Sequence, residues 1–102
     1  MAKLGDVRVA VSTQGMSPAM AGVLRKRIEK LITREDLLQV RLQGKLRESA
    51  KRLLPDAAAR KDFVYKIIGD GRIKDMLKRN RYREAEMLAM KMLSSRRPTR
   101  EG

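Results

Sequence analysis

VAVSTQGMSPAMAGVLRKRIEKL, Val9 to Leu31, is the stretch on which the reading of this chain turns. Val7, Val9 and Val11 alternate with Arg8, Ala10 and Ser12. That period of two predicts a strand over residues 7–12. A lone strand leaves its N–H and C=O groups unpaired, so it is expected to pair with another chain or with a sheet outside this sequence. A polar turn, Ser12-Thr13-Gln14-Gly15, follows. Ser17 then stands at an N-cap position and Pro18 at the first helical one. Met20, Leu24, Ile28, Leu31 and Ile32 share one face of a helix predicted from Pro18 to Ile32, and Arg25, Lys26, Arg27 and Lys30 lie largely off it. Free N–H groups at the helix start, with the hydroxyls of Ser12, Thr13 and Ser17 nearby, can receive a carboxylate or phosphate. Ser-x-x-x-x-Ser-Pro is not specific by its spacing, and on the residues alone the simpler reading, a capped helix after a strand, prevails.

Downstream the chain reads as helices. Thr33 followed by Asp36 is a variant capping box, and a second helix runs on to Leu54 with Leu38, Leu42, Leu46, Ala50 and Leu53 as its apolar stripe. Gly44 either weakens that helix by roughly 1 kcal/mol or admits a close neighbour. Pro55 stops it, and Asp56 caps a third helix bearing Phe63, Val64, Ile67 and Ile68. Gly69-Asp70-Gly71 is a turn, a short helix around Ile73, Met76 and Leu77 ends near Asn80, and a last helix spans about Arg83 to Leu93. Ala85, Leu88, Ala89 and Met92 are its inward set, and residues 94–102 read as a disordered basic tail. The expected fold is mainly α: a short N-terminal β-strand, then about five helices.

Composition narrows the chemistry. The 102 residues support one domain or a portion of a larger protein. With no cysteine there is no disulfide or thiolate metal site, and with no histidine the commonest general base and metal ligand is gone. Asp56, Asp62, Asp70 and Asp75 have no metal-loop spacing, and Met16, Met20, Met76, Met87, Met90 and Met92 are scattered as core gap-fillers rather than a soft-metal stripe. No catalytic and no metal-binding residue is assigned. No apolar run approaches the ~18 residues of a membrane span, and the N-terminus has no apolar signal region, so a cytoplasmic location without membrane contact is expected. The net charge of +13 points to anionic partners. Nucleic acid is one such partner, but Phe63, Tyr65 and Tyr82 are too few to build a base-stacking platform. A ribbon-helix-helix arrangement would present Arg8, Ala10 and Ser12 to a groove, a poor reading set with one long donor.

The stretch VRVAVSTQGMSPAMAGVLRKRIEKL closely resembles the segment that follows the dinucleotide-binding domain in siroheme synthases, the precorrin-2 dehydrogenase / sirohydrochlorin ferrochelatase family. The family's pattern there is a strand ending in Ser-Ser/Thr-x-Gly-x-Ser-Pro, then Ala, then Leu-Arg-x-x-Ile/Leu-Glu. It is met by Ser12, Thr13, Gly15, Ser17, Pro18, Ala21, Leu24, Arg25, Ile28 and Glu29. ARKDFVYKIIGDGRIKDMLKRNRYREAEMLAMKML resembles the family's C-terminal helical part, so the resemblance covers about Gly5 to Leu93.

The resemblance implies a role for the whole enzyme: NAD⁺ takes hydride from precorrin-2 to give sirohydrochlorin, and Fe²⁺ is then inserted to give siroheme. The family's Gly-x-Gly-x-x-Gly is absent, since the glycines stand at 5, 15, 22, 44, 69, 71 and 102, and the family's catalytic aspartate would lie before Met1. The expectation is therefore a C-terminal portion that binds no NAD alone and works with a Rossmann domain in cis or in trans. Ser12, Thr13, Gln14, Gly15 and Ser17 would line the cleft for a polycarboxylate tetrapyrrole, with Arg25 a candidate for one carboxylate. Thr13 falls where some relatives carry a phosphorylatable serine. The family also pairs its strand region across a homodimer. This divides the chain into a strand-loop-helix dimerisation segment at 1–32, a helical domain at 33–93 and a tail at 94–102. A small basic nucleic-acid-binding protein remains the alternative.

Overall fold

The chain begins with a β-hairpin in place of the expected lone strand. The structure, a computed structural model, describes residues 2–96. Strand β1 (Ala2–Leu4) runs antiparallel to β2 (Val7–Val9), with Ala2 opposite Val9 and Leu4 opposite Val7. Gly5 turns the chain at φ +57°, the position where a two-residue hairpin turn needs a positive φ and hence glycine. The partner that Val7–Val9 requires thus lies in its own chain. The strand also stops at Val9 rather than Ser12. No other described residue pairs with the outer edges of this two-stranded sheet.

Five helices follow among the described residues: α1 (Pro18–Leu31), α2 (Arg34–Leu53), α3 (Ala57–Gly69), α4 (Gly71–Lys78) and α5 (Tyr82–Arg96). The mainly α expectation holds. Their ends are written locally. Ser17 Oγ accepts the Met20 N–H at 3.1 Å. Thr33 Oγ1 accepts from Asp36 N while Asp36 Oδ2 accepts from Thr33 N, a reciprocal capping box. Asp56 Oδ1 accepts from Ala58 N. Asn80, at φ +63°, closes α4: its N–H donates to Leu77 O, and Arg81 N–H donates to Met76 O. That pair of bonds is the Schellman arrangement, which asparagine tolerates better than most non-glycine residues. The last helix extends further than expected, so Ser94 and Ser95 are helical; the rest of the expected tail, 97–102, lies outside the described residues.

The core belongs to α2–α5. Leu42, Leu46, Ala50 and Leu54 meet Phe63 and Ile67 of α3, Ile73 and Leu77 of α4, and Ala85, Ala89 and Leu93 of α5. Ala85 and Ala89 let α5 lie close against α2 and α4, its principal packing partners. Met76, Met90 and Met92 fill gaps at the margin of this core. Met16, Met20 and Met87 do not; they are exposed, which corrects their reading as gap-fillers.

The hairpin and α1 form a second, thinner body. Helix α1 packs on both strands, yet none of its residues is buried. Outside the main core cluster, Val9 is the buried apolar residue among those described. The expected apolar face of α1 therefore exists but is uncovered, with Leu31 76% and Met20 45% exposed. The molecule is correspondingly long, 63 × 30 × 18 Å with a radius of gyration of 17.3 Å. A compact chain of this length would have about 13 Å.

Candidate functional site: the loop between the hairpin and the first helix

Residues 10–17 link β2 to α1, and side-chain hydroxyls shape the link. Ser12 Oγ accepts the Gln14 N–H at 3.1 Å. Met16 N–H donates to Thr13 O at 3.1 Å, closing a β-turn whose central residues, Gln14 and Gly15, both have positive φ, 56° and 81°. This is the sign pattern of a type I′ turn. Gly15 adopts it freely, whereas Gln14 pays on the order of 1 kcal/mol for left-handed backbone. Thr13 and Ser17 offset that strain: Ser17 N–H donates to Thr13 Oγ1 at 3.0 Å, and Thr13 Oγ1 donates to Ser17 O at 3.1 Å. Ser17 Oγ then caps α1.

The hydroxyls differ in what they have left to offer. A hydroxyl carries one proton. Thr13 spends its proton on the Ser17 carbonyl. Ser12 and Ser17 use their oxygens as acceptors, so both retain an O–H to donate. Gln14 is exposed and carries its amide at the tip of the turn. The loop thus gathers Ser12, Thr13, Gln14, Gly15 and Ser17 into one short rigid unit, with donors from Ser12, Gln14 and Ser17 able to meet carboxylate oxygens.

Arg25 is not part of that unit. It stands eight residues beyond Ser17 in sequence, about 12 Å along the helix axis at 1.5 Å per residue. Its Nε lies 3.4 Å from Glu29 Oε1, one turn further from the loop. This contact is an ion pair without hydrogen-bond geometry, and Nε is a buried atom lacking a hydrogen-bond partner.

Two other features are set by the structure rather than by a sequence motif. Asp70, which the sequence places in a turn, caps α4 twice over, accepting from Arg72 N at 2.8 Å and Ile73 N at 3.2 Å on Oδ1, while Arg72 Nη2 donates to Oδ2 at 2.9 Å. The Arg72 side-chain hydrogen bond lowers the Asp70 pKa; burial opposes it, and the Ile73 and Arg72 backbone N–H groups assist it. The signal was the Asp-x-x spacing before a short apolar pattern. The second is a groove between α2 and α3, whose signal was Arg47 and Lys51 at i, i+4 beside the Leu46/Ala50 stripe.

Metal and cofactor groups fare as follows. Among the described residues no three His, Cys, Asp or Glu side chains converge as metal ligands. The loop does not fit a dinucleotide either: Gly15 is a single glycine at the strand-to-helix turn, where a pyrophosphate cradle needs three. No helix among the described residues is long and apolar enough to cross a membrane.

Comparison with known proteins bears on this loop-and-bundle arrangement directly. Residues 5–31, the second strand through α1, match the family model described as Sirohaem biosynthesis protein central. Residues 40–93 match the model described as Sirohaem synthase dimerisation region. Precorrin-2 dehydrogenase of Methanosarcina barkeri is 38% identical over 66 residues, covering 65% of this chain and 30% of the relative. Siroheme synthase of Methylococcus capsulatus is 34% identical over 84 residues, covering 82% of this chain and 18% of the relative. Siroheme synthase 2 of Aeromonas hydrophila is 29% identical over 80 residues, covering 78% and 17% respectively. No solved structure gives a significant match. The strand–turn–helix loop and the helical bundle therefore each match a sirohaem-family model. The chain belongs to the sirohaem synthase family. It spans less than a third of the length of these relatives. The match to the dimerisation region, residues 40–93, falls within α2–α5.

Proposed function

We propose that this chain supplies one wall of a tetrapyrrole cleft, and a homodimer contact, in an enzyme that oxidises precorrin-2 to sirohydrochlorin and passes it on for Fe²⁺ insertion. The observation that carries this reading is the Ser12–Ser17 loop. It lies within the segment matched at 5–31, and its own hydrogen bonds hold it in one shape before any ligand arrives. Preorganised donors lose little freedom on binding a polycarboxylate, and the charge of +13 favours such a partner at long range.

In this reading Ser12 and Ser17 donate O–H, and Gln14 donates its amide N–H, to propionate or acetate carboxylates. Thr13 and Gly15 hold the turn. Arg25 contributes to α1 through Glu29 rather than to the ligand. NAD⁺ is held by a dinucleotide-binding domain in cis or in trans, and Fe²⁺ enters as substrate. The protein works in the cytoplasm. The match at 40–93 supports dimer contact through α2–α5; the uncovered face of α1 and the open edges of the hairpin support a contribution from residues 1–32.

A fluorescence titration of sirohydrochlorin with the chain tests this. Saturable binding, weakened about tenfold by Ser12→Ala with Gln14→Ala, as expected when about 1.4 kcal/mol of donor contacts is lost, supports the cleft. Arg25→Ala leaves the affinity unchanged. Absence of tetrapyrrole binding, together with tight DNA binding that falls steeply with salt, overturns the reading in favour of a nucleic-acid-binding protein. Turnover of precorrin-2 with NAD⁺ by the chain alone would overturn the assignment of NAD⁺ to another domain.

A further inference from the structure

We propose that the groove between α2 and α3 binds a small amphiphilic anion: an apolar body of one or two rings carrying a carboxylate, sulfonate or phosphate group. The groove encloses about 400 Å³, within the range of about 300–1,000 Å³ usual for small-molecule sites. Its floor is the half-buried Val64 of α3 over the buried Leu46, Ala50 and Phe63. Its rim carries Arg47, Lys51, Arg60 and Lys61, and no carboxylate lines it.

Two features make this rim an anion site rather than part of a generally basic surface. First, no ion pair with a described residue occupies three of its four charges. Arg47, Lys51 and Lys61 enter no ion pair with another described residue. The groove between α4 and α5 is different: there Arg72, Arg81, Asp75 and Glu84 mix signs, and Arg81 Nε lies 3.7 Å from Glu84 Oε2. Second, one cation is fixed. Arg60 Nη1 donates to the carbonyls of Leu54 and Pro55, both at 2.8 Å, which pins its guanidinium at the end of α2 while Nε and Nη2 remain as donors. A pinned cation beside an apolar floor pays little entropy on binding. Repulsion among the four cations is relieved when an anion enters. The floor then covers the apolar body, and the rim holds the head group.

This inference is independent of the tetrapyrrole reading, since the groove is built by residues 43–64 and not by the Ser12–Ser17 loop. The probe is 1-anilinonaphthalene-8-sulfonate, followed by fluorescence and by backbone amide shifts of the full chain. The expected result is one saturable site, with the largest shifts at Leu46, Ala50 and Val64. Arg47→Glu with Lys51→Glu, both at exposed positions, weakens binding at least about tenfold through two charge reversals. N-phenyl-1-naphthylamine, the same body without the sulfonate, binds correspondingly weakly. Shifts centred on Met20 and Leu31, equal binding of the neutral probe, wild-type affinity in the double variant, or no saturable binding each overturn the proposal.

Discussion

Thr13 and Ser17 exchange a reciprocal pair of hydrogen bonds: Ser17 N–H donates to Thr13 Oγ1 at 3.0 Å, and Thr13 Oγ1 donates back to Ser17 O at 3.1 Å. One threonine thereby holds the loop that leads from the hairpin into α1. Thr13→Val keeps the shape and removes both bonds, at about 1 kcal/mol each. Hydrogen exchange at the Ser17 amide is expected to quicken about tenfold or more, while Thr13→Ser retains near-native protection. Unchanged exchange in the valine variant would show that other contacts set this turn.

The uncovered face of α1 predicts self-association. Met20 and Leu31 are exposed apolar residues on a helix with no fully buried residue. Sedimentation velocity is expected to show a dimer, and Met20→Glu with Leu31→Glu to shift it toward monomer. A dimer of undiminished affinity in that variant would confine the contact to α2–α5.

Gly44 is exposed within α2, and a Cβ there meets nothing within 4 Å. No neighbour uses its small size. Gly44→Ala should add roughly 0.5–1 kcal/mol through backbone entropy and helix propensity, raising Tm by about 2–8 °C. A lower Tm would mean that assembly brings another surface against this position.

Asp70 ties α3 to α4, its N–H donating to Ile67 O while its carboxylate caps α4. Asp70→Ala should cost about 1–2 kcal/mol at pH 7. The folded pKa lies below the ordinary 3.8, chiefly through the Arg72 hydrogen bond. The ionised carboxylate therefore stabilises fully above pH 3.8, and that stability is lost as pH falls through the folded value. Urea unfolding of both forms between pH 7 and pH 2 should show the gap between wild type and Asp70→Ala narrowing below pH 3.8; a constant gap would contradict the assignment.

Tyr82 holds a buried Oη with no hydrogen-bond partner, under an Arg41 guanidinium 5.9 Å from its ring centroid. Tyr82→Phe keeps the cation–π contact and removes the unsatisfied hydroxyl, so thermal melting should show no loss and a gain of up to about 1 kcal/mol. Burial pushes the phenol pKa above its ordinary 10.0, Glu86 adds to this, and Arg41 opposes it. A raised folded pKa means that stability is present below pH 10 and declines above it, and the phenylalanine variant should lack that decline.

Where a residue's role is settled within a few positions, it was legible. Ser17-Pro18, Thr33 with Asp36, and Asp56 each start a helix, and Asn80 closes one, through bonds to neighbours no more than five residues away, and side-chain type and spacing suffice to see them. The apolar stripe of α2 was legible for the same reason, since Leu42, Leu46 and Ala50 recur at the helical period. The hairpin was not: β1 has three residues, too few to show a period, and Gly5-Asp6 reads as a turn only once both flanking strands are known. In α5 the buried set is Ala85, Ala89 and Leu93, with Leu88 and Met92 at the flank. Apolar residues occupy both faces there, so periodicity alone did not choose between them.

The candidate site divides in the same way. Residue types alone placed Ser12, Thr13, Gln14, Gly15 and Ser17 at a turn before a capped helix, because a positive-φ turn and an N-cap each select their own side chains. Which hydroxyl still has a proton to give, that Arg25 faces Glu29, and that Arg47, Lys51 and Arg60 rim one groove were decided only by the tertiary structure. Those outcomes depend on which atoms of separate turns and helices meet. Hydrogen bonds and charge pairs act over a few ångströms in space, and spacing along the chain does not encode that distance once the segments belong to different elements.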